Sequence, residues 1–255
     1  MYALLNDLLS DKKGGEVFTL FGLWHIFYIV FFVAIAAALV LILNKREKSA
    51  QNRVISAFIT VAFGLYIADF FLMPLSYGEI DIEKLPFHAC TAMCVMCFWS
   101  NHNPRLAKYR VYFALLGFVS NFVYLVYPAG VMWHQVHPIS YRVIQTLVYH
   151  GIMSVYGLLV LVFQNEEKER KGIRVLTVTV GMTLWAMLGN YIYNGSAGEY
   201  NHFFNWFFVV RDPFNMLPAQ IAPYLMPALN VVVFTAVEML VLWIVSFTVR
   251  GRKER

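Results

Sequence analysis

Residues 20–43 read LFGLWHIFYIVFFVAIAAALVLIL, an apolar run whose single basic side chain is His25. As a helix rising ~1.5 Å per residue, it is long enough for the ~30 Å hydrocarbon core of a bilayer. Six further runs of this kind follow, at about 53–75, 85–100, 109–127, 141–163, 173–194 and 224–249. The third is short; the others have spanning length. Strand-period alternation is absent, so the runs predict an all-α membrane protein, a seven-transmembrane-helix bundle. The connections leave no room for a soluble second domain, and residues 1–255 form a single integral membrane domain.

Charge supplies the orientation. Four clusters fall on one side of a seven-span bundle: Lys45 to Arg53, Arg105 to Arg110, Lys168 to Arg174, and the tail Arg250 to Arg255. The other side keeps Lys12, Lys13, Lys84, Arg142 and Arg211. Positive residues stay on the cytoplasmic side, which predicts a cell-membrane protein with its N-terminus outside and its C-terminus cytoplasmic. Topology and anionic lipid then account for the net charge of +5, so membrane lipids are the expected partners and nucleic acid is not. Met1–Gly15 lacks a basic start, so no cleavable signal peptide is expected. The apolar residues of Met1–Ser10 suggest either a short interfacial helix or a frayed end.

Cys90, Cys94 and Cys97 have cluster-like spacing, but they sit inside an apolar run and line one helical face instead of wrapping a loop around a metal. No cofactor and no metal is expected. His134 and His137, in an outer loop, form a weak metal pair better read as solvated residues.

Counting down each run from its outer end sorts the polar residues by depth. His25 and Cys90 come out roughly 8 Å down, Asp69, Asn121 and Asn230 roughly 9 Å, Asn190 roughly 6 Å, and His150 roughly 14 Å. Glu238 lies deeper, and His88 just above Cys90. Ionisable groups inside a span are costly and face the bundle interior or a water-filled cavity, which predicts one polar cavity opening outward. The competing account is packing, since small and polar stripes such as Thr146, His150, Ser154 and Gly157 also let helices approach closely. Trp206 is expected in the interfacial aromatic belt.

Cys90 is the best nucleophile candidate. Pro86 is placed in the first turn of its helix, so Cys90 lies close to the positive helix end, though not in it. His150 is the better base, because His88 falls nearly opposite on an ideal helix. Asp69 or Glu238 can orient a histidine, and Asn121 or Asn190 can donate to a developing oxyanion.

Three local patterns carry a family resemblance: Phe18-x2-Phe21-x3-His25, Leu85-Pro86-x-His88-x-Cys90, and Asn190-Tyr191-x-Tyr193, with Asp212-Pro213-Phe214 in the following loop. In these the chain resembles the YwaF-like family of bacterial integral membrane proteins, related to the transmembrane protein 164 acyltransferase family. The resemblance implies that Cys90 and His150 form a catalytic pair acting on lipid acyl chains. It leads to the expectation of a lipid acyltransferase or acyl hydrolase, with Met93, Met96 and Phe98 lining a slot for the chain. The alternative is a proton-coupled transporter or ligand-binding membrane protein that uses the same polar layer, with Asp69, Glu238 and His150 as coupling groups. No inverted repeat supports transport, whereas a mid-bilayer Glu238 favours it.

Overall fold

The computed structural model describes residues 15–77, 82–133, 136–165, 171–194 and 204–253; Met1–Ser10 and His134 lie outside them. Among the described residues every regular element is helical. Helix α1 spans Leu23–Leu43, α2 Lys48–Tyr77, α3 Ala89–His102, α4 Arg110–Val126, α5 Tyr141–Phe163, α6 Lys171–Asn194 and α7 Ala222–Lys253. Six of these, all except α3, are long and apolar enough to cross a membrane.

Helix α3 departs from the expected span at 85–100. Its 14 residues cover roughly 21 Å, well short of the hydrocarbon thickness. Both ends have a local cause. Pro86 bars Leu85 from helical backbone, and His88 at the N-cap is extended at φ −79, ψ 146, so the helix begins only at Ala89. At the other end Asn103 precedes Pro104 and is extended for the same reason, with φ −115 and ψ 114. Its side chain caps the next turn by accepting from Arg105 N at 2.9 Å.

Helix α5 is the centre of the bundle and is buried along most of its length, from Val143 to Leu161. α4 lies along it, α1 and α2 also pack on it, α3 bridges α2 and α4, and α6 pairs with α7 at the edge. The small-residue stripe of α5 makes the close approach to α4 possible. A Cβ on Gly157 would stand 2.8 Å from Ala114 O and 2.7 Å from Phe118 Cβ. The outer faces of α1, α6 and α7 expose Phe27, Phe31, Leu184, Leu188, Trp243 and Phe247. That surface would drive association in water; in lipid it matches the solvent.

At the end of the bundle away from Cys90, a polar net ties four helices. Arg110 donates to Ser100 O at 3.1 Å and to Gln164 Oε1 at 3.3 Å, and Gln164 Nε2 donates to Asn52 Oδ1 at 2.8 Å. A guanidinium on the last carbonyls of α3 also answers the negative end of that helix.

Candidate functional site

Because α3 starts at Ala89, Cys90 is its second residue and lies in the first turn, not beyond it as the sequence suggested. The amide N–H groups of a first turn have no intrahelical acceptors, and the Cys90 sulfur faces those of Thr91 and of Cys90 itself. The three thiols are free; Cys90 is half-buried, while Cys94 and Cys97 are fully buried.

His150 projects from the middle of α5 into the α4–α5 interface. Its Nδ1 lies 2.7 Å from Asn121 Oδ1, and Asn121 Nδ2 donates to Gly117 O at 2.7 Å. These two contacts settle the tautomer. Turning the Asn121 amide over would set its oxygen against the Gly117 carbonyl, so the oxygen faces His150 and Nδ1 must carry the ring proton. Nε2 is then the basic nitrogen. One of the two Asn121 amide protons is committed to Gly117 O of α4. The ring stacks on Tyr124 at 4.0 Å with an interplanar angle of 18°, and Ser154 Oγ donates to His150 O at 2.7 Å.

Cys90 and His150 belong to neighbouring parts of one region. Tyr149, adjacent to His150, donates its hydroxyl to Cys90 O at 3.1 Å. Cys90 is within electrostatic range of Tyr124, which stacks on His150, and His88 is within range of His150. No hydrogen bond joins the Cys90 thiol to the imidazole among the described residues, and Tyr124 and Tyr149 stand around the pair.

The other members of the predicted layer are buried, each bonded to its own set of partners. His25 uses both ring nitrogens: Nδ1 accepts from Phe21 N and Nε2 donates to Leu125 O, each at 2.9 Å. It fastens the start of α1 to the end of α4. Asp69 pairs with Lys84 through Oδ2 and accepts from Tyr141 at Oδ1, 3.1 Å away, which ties α2 to α5 and to the segment before α3. Glu238 lies in the α6–α7 contact, where it bonds to Thr179, and no hydrogen bond among the described residues joins it to Cys90 or His150.

Asn190 does not sit in an open mouth either. Residues 204–210 fold back onto the bundle as a plug, with Trp206, Phe207 and Val209 buried. Asn190 clasps it from both sides, accepting from Trp206 N at 3.2 Å and donating to Trp206 O at 3.1 Å. Asn194 repeats the device on Phe204, Asn230 donates to Phe207 O, and His88 Nδ1 accepts from Phe207 N at 3.4 Å. Phe207 and Phe208 both take positive φ, 54° each, a conformation that side chains disfavour and that the clasps hold in place. Trp206, expected at the interface, is 1 % exposed and stacks on Phe204 at 4.6 Å. Just beyond the plug, three backbone amides donate to the Asp212 carboxylate. They belong to Phe214 at 2.8 Å, Met216 at 2.7 Å and Leu217 at 2.9 Å, and they hold its carboxyl below the usual range.

Sequence reasoning missed the plug, Asn194 and Tyr149, whereas it placed Tyr124 on one stripe with Asn121. For the plug a signal existed: residues 203–210 read FFNWFFVV, an apolar run in the middle of the longest loop. At the expected acyl slot Met93 is buried and Phe98 stacks on Phe63 at 4.2 Å. A groove of about 390 Å³ lies between α1, α4, α5 and α7, lined by Phe32, Ala36, Phe118, Phe122, Ser154 and Val245 among others. It reaches Ser154, one turn below His150 on the same stripe.

No curated protein and no solved structure matches the chain. The model of the TMEM164 family matches it over residues 20–247, from the start of the first apolar run to near the end of α7. The match takes in every residue of the Cys90 and His150 region, and the chain is a multi-pass membrane protein belonging to the TMEM164 family.

Proposed function

We propose that the chain transfers or hydrolyses lipid acyl groups, with Cys90 as nucleophile, His150 as base and Asn121 as the residue that orients the base. The observation that carries this reading is the Gly117–Asn121–His150 relay, which leaves Nε2 basic and aimed away from its anchor. The same division of labour, a nucleophile, a histidine and a third group fixing the tautomer, serves unrelated hydrolases.

A thiol in apolar surroundings stays protonated, so it needs a base that removes its proton as it attacks. The Cys90 sulfur attacks the ester carbonyl carbon of a lipid, the C–S bond forms, and His150 Nε2 takes the thiol proton. The acyl C–O bond breaks, and the imidazolium returns that proton to the departing lyso-lipid oxygen. A second lyso-lipid hydroxyl, or water, then attacks the thioester. His150 takes the new proton and delivers it to the Cys90 sulfur, which closes the cycle. The mechanism requires the thiol to come within direct or one-water reach of Nε2, the range over which general bases work. The apolar groove one turn below His150 suits the hydrocarbon chain of the substrate.

The reading includes the finer placements expected from sequence: the YwaF-like bacterial branch of the family, the cell membrane, an outside N-terminus, a cytoplasmic C-terminus, and α3 as a seventh, half-crossing segment. Proton-coupled transport is the weaker account, because Asp69, Glu238 and His150 bond to three separate sets of partners. The test is labelling of native membranes with a thiol-reactive fatty-chain probe. Labelling confined to Cys90 and slowed in His150→Ala is the expected result. Equal labelling of Cys94, or labelling indifferent to His150, overturns the proposal.

A further inference from the structure

Helices α6 and α7 meet along a mostly apolar strip, and in the middle of it Glu238 is 1 % exposed. Its Oε2 lies 2.6 Å from Thr179 Oγ1. Thr179 Oγ1 also lies 3.0 Å from Val175 O, the carbonyl one turn back in its own helix. Proton counting discriminates between the two states of the carboxyl. A hydroxyl has one proton, and a backbone carbonyl is only ever an acceptor. If Glu238 were ionised, Thr179 would face two acceptors with one proton, leaving a bare oxygen–oxygen contact at one of these distances. If Oε2 carries a proton, Glu238 donates to Thr179 and Thr179 donates to Val175, and every contact is a hydrogen bond.

A second observation points the same way. The other oxygen, Oε1, has no hydrogen-bond partner, and neither does Thr235 Oγ1 three residues earlier on α7. A buried carboxylate needs its charge compensated at both oxygens, whereas a neutral acid leaves one carbonyl-type oxygen bare at far lower cost. From α6 the polar neighbour is Thr179, and from α7 it is Thr235.

We propose that Glu238 is a proton-binding site: a carboxylic acid held neutral inside the membrane, which fastens α6 to α7 through Thr179 and Val175. The proposal does not depend on the acyl-transfer reading, since Glu238 lies outside the Cys90 and His150 region. It also separates Glu238 from any proton relay through that region.

Infrared difference spectra of the purified full chain at neutral pH, wild type minus Glu238→Gln, test it directly. The expected result is the carbonyl stretch of a protonated carboxylic acid, shifting in deuterated water and missing from the variant. A difference confined to carboxylate bands overturns the proposal. Thermal melts supply an independent reading. In Glu238→Gln an amide N–H can donate to Thr179 as the acid O–H does, so this variant should melt with the wild type. Glu238→Ala and Thr179→Val, which remove the relay, should melt several degrees lower. Glu238→Gln melting as low as Glu238→Ala would show that the acid proton is not what joins the helices.

Discussion

Two buried histidines in this bundle differ in one respect, the fate of the second ring nitrogen. At the α1–α4 contact His25 has both nitrogens engaged with backbone, Phe21 N on one side and Leu125 O on the other. At the α4–α5 contact His150 has one nitrogen held by Asn121, and among the described residues no hydrogen bond engages the other. A ring satisfied on both sides is a cross-link: it can neither take nor give a proton without breaking the contacts that hold two helices together. A ring held on one side is oriented and still has a lone pair. The sequence grouped the two as histidines of one polar layer, and the hydrogen bonds separate them.

The largest expected effect falls on that contrast. His150→Ala should slow acylation of Cys90 by a fatty-chain probe by about 10²–10⁴-fold, the contribution of a positioned general base. Cys90→Ala should abolish it, and the double variant should be no worse than Cys90→Ala alone. His25→Ala should leave the rate per folded molecule near wild type. If His25→Ala removes activity from a folded protein, the division between cross-link and base is wrong. Next in size is Asn121→Leu, which frees the His150 ring and leaves its Nδ1 proton without an acceptor. Losing one such buried partner is worth about 1–3 kcal/mol, so a drop of roughly tenfold to a hundredfold in kcat is expected, with KM little changed. A rise in KM alone would assign Asn121 to substrate contact instead. His25→Ala sharpens the comparison from the other side. It should cost about 1–3 kcal/mol of stability by stranding Leu125 O and Phe21 N, read as earlier unfolding in detergent with kcat retained.

Much of the architecture was legible because it depends on length and period along the chain. The runs at 141–163 and 173–194 became α5 and α6 nearly unchanged, since a long apolar helix in lipid is fixed by local composition. The start of α3 was legible only in part: Leu85-Pro86 bars helix at Leu85, but nothing local marks His88 as the extended N-cap that puts Cys90 in the first turn. The site was less legible because depth says nothing about azimuth or partner. Asn121 and Asn190 sit at similar depths, yet one orients a histidine and the other clasps a returning loop. That distinction depends on where residues 204–210 fold back, a long-range event that no periodicity encodes. Asp69 illustrates the same limit, because its partner Lys84 was counted in the charge balance as an outer-loop cation and turned inward.

The smallest effects expected lie in the glycines, and they test whether the α4–α5 contact that positions His150 is tight where α6 is loose. A Cβ on Gly157 meets Ala114 O at 2.8 Å and Phe118 Cβ at 2.7 Å. The first is backbone and cannot rotate away, so Gly157→Ala must push α4 from α5, at a cost of about 1–3 kcal/mol for overpacking. A Cβ on Gly181 of α6 meets nothing within 4 Å. Gly181→Ala therefore adds helix propensity without a clash and should stabilise by up to about 1 kcal/mol. The two substitutions are chemically identical and both lie inside spanning helices, so composition predicts the same result for each. Unfolding in detergent should move them in opposite directions, and Gly157→Ala should also slow acylation of Cys90 by shifting Asn121 away from His150. Equal and small effects on stability would mean that α4 and α5 are not locked at Gly157, and the fixed tautomer of His150 would lose its structural support.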